Sequence, residues 1–133
     1  MDAKRILFID DEPLSVSVAI DTLKSAGYTT DYIESGEQAW KVLNEQPNTY
    51  DAVIVDRVMP EVGGIELLQK IKQSPVLHDL PVIVETASED SADYLTALEA
   101  GASDFIYKPL ERDFLLYVVD NAVNDGDGSS VYA

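Results

Sequence analysis

Short β-rich runs alternate along the chain with stretches in which apolar residues recur every three or four positions. The runs are RILFID (5–10), YTTDYI (28–33), YDAVIV (50–55), PVIVET (81–86) and DFIYK (104–108). Positions 6–9, 52–55 and 82–84 are apolar throughout, as in strands buried on both faces, and 28–33 is a weaker strand. Between them the helical period takes over. Pro13 stands where a first helical turn tolerates proline, and Leu14, Val18 and Leu23 lead towards Gly27 as a C-terminal stop. Ser35 is placed to cap a second helix with Ala39, Val42 and Leu43 as its apolar stripe. Ile65, Leu67, Leu68 and Ile71 mark a third after Gly63-Gly64, ending near Pro75. A fourth, capped by Ser88 or Asp90, runs through Tyr94, Leu95 and Leu98 to Gly101.

The last helix, 109–123, is apolar on more than one side. Placed at about 100° per residue, Phe114, Leu115, Val118 and Ala122 share the core face while Leu116 and Val119 turn outward. That outward pair predicts either packing against a neighbouring segment or a dimerisation or effector face. Five βα repeats with short connections predict an α/β fold, a doubly wound five-stranded parallel sheet with helices on both faces. Residues 1–123 would form one domain, and the Gly-, Ser- and Asp-rich segment 124–133 a flexible tail or the start of a linker.

In such a sheet ligands bind beyond the carboxyl ends of the strands. The first strand delivers Asp10 and Asp11 there, the third Asp56, the fourth Thr86 and the fifth Lys108. Two carboxylates about 4 Å apart repel by roughly 4 kcal/mol at an effective dielectric near 20, so their convergence calls for a basic side chain or a cation. An all-oxygen donor set suits a hard divalent ion, Mg²⁺ first. Beside such an ion a carboxylate is a good nucleophile towards phosphorus, and a Thr hydroxyl and a Lys ammonium suit the remaining phosphoryl oxygens. Taken singly, each of these residues is as well explained by turn or helix capping; the whole set is not.

Composition narrows the function. The 133 residues carry 25 Asp and Glu against 9 Lys and Arg, a net charge of −16, which repels phosphate backbones and predicts no direct nucleic-acid binding. No cysteine is present, so thiolate metal sites and a Cys nucleophile are excluded. No apolar run approaches the roughly 20 residues of a membrane span, and MDAKR lacks the apolar core of a signal peptide; a cytoplasmic, membrane-free protein is expected.

The motifs together resemble the receiver domain of two-component response regulators, of the chemotaxis-type fold. ILFIDDEP resembles the acidic-pair motif, AVIVDRVMPEVGG the phospho-acceptor motif, PVIVETAS the hydroxyl motif and GASDFIYKP the Lys-Pro motif, spanning about residues 4–123. The resemblance implies a flavodoxin-like (βα)5 sheet of strand order 2-1-3-4-5. It also implies Asp56 as phospho-acceptor, Asp11 as direct Mg²⁺ ligand, Asp10 as its neighbour acting mainly through water, and the Val58 backbone carbonyl as a further ligand. Thr86 would be the hydroxyl that moves towards the phosphoryl group, Lys108 the ammonium that pairs with it, Phe105 the aromatic switch, and Lys108-Pro109 a cis bond. A sensor histidine kinase or histidine phosphotransfer protein would supply the phosphoryl group, and the face of helix four, strand five and helix five would change shape for an effector. Such a receiver catalyses its own phosphorylation and dephosphorylation and is not a turnover enzyme on an external substrate.

The chain departs from the family pattern at four places, one of them Phe105, which lacks the hydroxyl of a Tyr and so the hydrogen bond a switch could make with it. Val58 and Ser88, positions that tune hydrolysis, are apolar and small, and Glu85 stands where an apolar residue is usual. Glu85 is expected to be an edge-exposed carboxylate or a partner contact. The alternative function is a non-phosphorylated interaction module on the same fold. An aspartyl phosphatase would want an acid two residues after its nucleophile, where this chain has Val58.

Overall fold

The computed structural model describes residues 3–59, 61–87 and 91–124. Pro60, Ser88, Asp90 and all but the first residue of the expected tail 124–133 lie outside them. The apolar runs become β1 (Arg5–Ile9), β2 (Thr29–Ile33), β3 (Ala52–Asp56), β4 (Val82–Thr86) and β5 (Asp104–Tyr107). The periodic stretches become α1 (Pro13–Ser25), α2 (Gly36–Glu45), α3 (Gly64–Gln73), α4 (Ser91–Glu99) and α5 (Arg112–Asn124). All pairings are parallel, in the order β2-β1-β3-β4-β5, which is the flavodoxin-like order expected. Every residue of β3 and β4 is buried, whereas β2, at the edge, is half-buried throughout.

Because successive strand side chains point to opposite faces, the continuous apolar runs feed two cores. Leu7, Ile9, Val53, Val55, Val82, Val84 and Phe105 pack against α2, α3 and α4. Ile6, Phe8, Ala52, Ile54, Ile83 and Ile106 pack against α1 and α5. Each fully buried aliphatic side chain contributes about 1.5–3 kcal/mol, so the central strands are the most firmly held part of the molecule. Ser35 caps α2 as expected, its hydroxyl accepting from Gln38 N at 3.1 Å. Among the described residues no helix is long and apolar enough to cross a membrane.

Three helices are rotated from their expected phase. On α1, Val16, Ala19 and Leu23 are buried, while Leu14 and Val18 are 91% and 68% exposed. Among the residues of α4 whose side chains are described, 94–99, only Ala97 is buried, and Tyr94, Leu95 and Leu98 face outward. On α5 the buried residues are Leu115, Val118 and Val119, with Leu116 half-buried and Phe114 and Tyr117 exposed. Val119, at 0% exposure, is therefore no part of an outer face, and the large apolar side chains that α5 exposes are Phe114 and Tyr117 and not the expected Leu116–Val119 pair. Polar anchoring accounts for the rotation of α5. Arg112 Nη1 donates to Ser25 Oγ at 3.4 Å and the Tyr28 hydroxyl donates to Asp120 Oδ1. Arg112, Leu116 and Asp120, four residues apart, form one stripe, and turning it towards α1 carries Val119 into the core.

Candidate functional site

The strand ends bring together the residues expected there. Asp10 follows β1, Asp56 ends β3, Thr86 ends β4 and Lys108 follows β5. The Lys108 ammonium bridges two buried carboxylates, 3.1 Å from Asp10 Oδ2 and 2.9 Å from Asp56 Oδ2. The other oxygen of each aspartate accepts a backbone N–H two residues on, Glu12 N to Asp10 Oδ1 at 2.9 Å and Val58 N to Asp56 Oδ1 at 3.0 Å. Both aspartates thus make the local turn that capping predicts and still converge on one cation. The Tyr32 hydroxyl donates to the Asp10 carbonyl oxygen at 2.8 Å and steadies the end of β1.

Burial dominates the electrostatics. It raises the pKa of Asp56; hydrogen bonds from Lys108 and Val58 N pull it back down, Asp10 adds to the rise, and the net shift is upward. Burial also works against the Lys108 charge. The hydrogen bond to Asp56, the charge of Glu85 and the hydrogen bond to Asp10 outweigh it, so the ammonium holds its proton more tightly than an ordinary lysine.

Asp11 is exposed at the rim, and one carboxylate oxygen from each of Asp10, Asp11 and Asp56 lies within 4.8 Å of the other two. Three carboxylate oxygens converging at that spacing fit a hard divalent cation and leave room for water ligands. Val58 is 62% exposed beside them. The loop that carries it closes tightly: a Cβ on Gly64 would sit 2.5 Å from the Asp56 carbonyl oxygen, and Gly64 N donates to Arg57 O at 3.0 Å. Only glycine permits that return, which presses the start of α3 against the backbone of Asp56.

Thr86 is buried, and its carbonyl accepts from Lys108 N at 2.7 Å, tying the fourth and fifth strand ends together. The Lys108-Pro109 bond is cis. Phe105 is buried between two edge-on tyrosines, with ring centroids 5.8 Å from Tyr94 and 5.4 Å from Tyr107.

Glu85 overturns the expectation of an edge-exposed carboxylate. It is 1% exposed on β4, an interior strand, in register with Asp56 on one side and Ile106 on the other. Parallel neighbours in register share a sheet face, so its side chain emerges on the same side as Asp56. Burial raises its pKa to about 9; a loose side-chain hydrogen bond with Asp10 and the charges of Asp10 and Asp56 add to the rise, and Lys108 opposes it. Its oxygens make no hydrogen bond of good geometry among the described residues, and the Asp10 carboxylate is close enough to share a proton with it. The one signal in the sequence was a charge within an otherwise apolar run.

A family model for the response regulator receiver domain matches residues 6–120. The two-component response regulator ORR5 of Oryza sativa subsp. japonica is 34% identical over 109 residues, 82% of this chain and 81% of that protein. The 3′,5′-cyclic-nucleotide phosphodiesterase regA of Dictyostelium discoideum is 32% identical over 122 residues, 90% of this chain but only 15% of that protein. Among solved structures, the receiver domain of sensor histidine kinase PA1611 from Pseudomonas aeruginosa PAO1, with a magnesium ion coordinated in its active site cleft, superposes with a TM-score of 0.81. It is 27% identical, and the match covers 91% of this chain and 98% of that one.

Proposed function

Since the chain belongs to the response regulator receiver domain family, we propose that it is a phosphorylation-switched receiver whose acceptor is Asp56. The observation that carries this reading is the single ammonium of Lys108 bridging Asp10 and Asp56, with three carboxylate oxygens inside 4.8 Å of one another. Asp10, Asp11, Asp56 and the Val58 backbone carbonyl would hold Mg²⁺. When bound, the cation supplies charge neutralisation and orientation for phosphoryl oxygens.

The chain's own groups account for the rest. A carboxylate oxygen of Asp56 attacks phosphorus, and the P–N bond of a phosphohistidine breaks as the acyl phosphate forms. The imidazole leaves with the bonding electron pair, the donor being a sensor histidine kinase or a histidine phosphotransfer protein. Lys108 draws off charge that develops on the transferring oxygens. Thr86, at the neighbouring strand end, is placed to hydrogen-bond the phosphoryl group. Its movement would free space for Phe105 and bias the edge made by α4, β5 and α5 between two states. The domain acts only on itself, by phosphorylation and later hydrolysis, in the cytoplasm. Val58 presents only an apolar side chain to attacking water, so Val58→Asn is expected to change the acyl-phosphate half-life; an unchanged half-life removes Val58 from the tuning positions.

The test is incubation with Mg²⁺ and acetyl phosphate followed by intact mass. The parent should gain one phosphoryl mass and Asp56→Asn none. A parent that gains nothing, or an Asp56→Asn variant that gains as much, refutes the reading and leaves the interaction module.

A further inference from the structure

Glu85 is a buried carboxyl group beside the Asp10 carboxylate; its oxygens make no hydrogen bond of good geometry among the described residues, none to Lys108 among them, and its strand register sets it next to Asp56. The turn role of the aspartates does not require it. A carboxyl group in this setting is costly, since an unsatisfied buried polar group loses its hydration without replacement. The arrangement of the ammonium gives it a purpose. Lys108 Nζ occupies one oxygen of Asp10 and one of Asp56, and both aspartates belong to the three-carboxylate cluster. A cation entering that cluster draws on the same two carboxylates as the ammonium. A displaced ammonium left buried without an acceptor would oppose the exchange.

We propose that Glu85 is a positioning residue for Lys108, a second and inner acceptor that receives the ammonium when a divalent cation engages Asp10 and Asp56. The register places it correctly, since Glu85 is paired with Asp56 across β3 and β4 and Lys108 follows the strand on its other side. The role needs only an acceptor oxygen, which glutamine also supplies. It rests on the divalent-cation part of the reading above and not on phosphoryl transfer.

Mg²⁺ affinity measured by titration calorimetry tests it, on the parent, Glu85→Gln, Glu85→Leu, Lys108→Met and the Glu85→Leu/Lys108→Met pair, with near-UV circular dichroism to confirm folding. Glu85→Leu should weaken Mg²⁺ binding about tenfold, Glu85→Gln by no more than about threefold, and Glu85→Leu in the Lys108→Met background by no more than about twofold. An equal loss in both lysine backgrounds would mean that Glu85 acts on the cation directly, and the inference fails. Unchanged or tighter binding by Glu85→Leu in the parent background overturns it without recourse to the lysine variants. A parent that binds no Mg²⁺ overturns this inference together with the cation reading. A parent that binds, with no coupling between the two positions, overturns this inference alone.

Discussion

Replacing Glu85 by glutamine should stabilise the protein and flatten its stability between pH 5 and 9. The folded-state pKa of about 9 lies above the 4.5 of a free glutamate. Between those values the folded chain holds a proton that the unfolded chain has released, so stability falls as pH rises through the window and levels off above it. Each pH unit in the window removes about 1.4 kcal/mol. From 4.5 to 7 the loss comes to about 3 kcal/mol, less whatever local relaxation and water entry recover. A side chain 1% exposed has little solvent screening to discount. Glutamine keeps the shape and cannot ionise, so Glu85→Gln should gain about 2–3 kcal/mol at pH 7 and nothing near pH 4.5. Urea unfolding followed by the fluorescence of Trp40, at pH 5, 6, 7, 8 and 9 with a chelator present, gives both slopes. The difference between parent and variant reports Glu85 together with its coupling to Asp10 and Asp56. Parallel pH slopes for the two proteins would refute the reasoning, because they would mean that Glu85 ionises alike in the folded and unfolded chains.

Lys108→Met leaves two buried carboxylates facing each other and should cost about 3 kcal/mol in chelator, with saturating Mg²⁺ restoring part of it; urea unfolding with and without the ion checks both. Gly64→Ala forces a methyl group against the Asp56 carbonyl, 2.5 Å away, and should cost more than about 2 kcal/mol. It should also slow acetyl-phosphate labelling of Asp56, as read by denaturation and by a mass time course. The phase of α1 is tested by a pair. Leu14→Ser, at a 91% exposed position, should change stability by less than about 0.5 kcal/mol, whereas Val16→Ala should cost about 2 kcal/mol.

The strands, their parallel arrangement and the meeting of Asp10, Asp56 and Lys108 were legible in the residues, while the strand order followed only from the family resemblance. A continuously apolar run has one stable environment, and a residue just past its carboxyl end has one place to be. Glu85 was misread for a reason that belongs to pairing. A charge within a strand looks like a mark of an exposed edge until the register shows which neighbours flank it, and here they are Asp56 and Ile106. The phases of α1 and α5 were misread because both helices have more apolar residues than one face can bury. The choice among them falls to contacts that no single helix contains, such as Arg112 with Ser25 and Asp120 with Tyr28. On α4 the buried Ala97 is too small to stand out from Tyr94, Leu95 and Leu98.

The outward phase of α4 places Tyr94, Leu95 and Leu98 along the same sheet edge as Tyr107, an edge whose ionic character is one-sided. From residue 86 to residue 107 the chain has five acidic residues and no lysine or arginine. The nearest flanking cations are engaged elsewhere, Lys72 on the carbonyls of His78 and Leu80, Lys108 in the site, and Arg112 on Ser25. A twofold-symmetric pair sets a surface against its own copy. Across this edge it would oppose negative charge to negative charge over aromatic contacts that otherwise favour burial. Association of two copies there would therefore be repelled in dilute buffer and eased as salt shortens the reach of the field to about 8 Å or less, the reverse of a pair held by ion bridges.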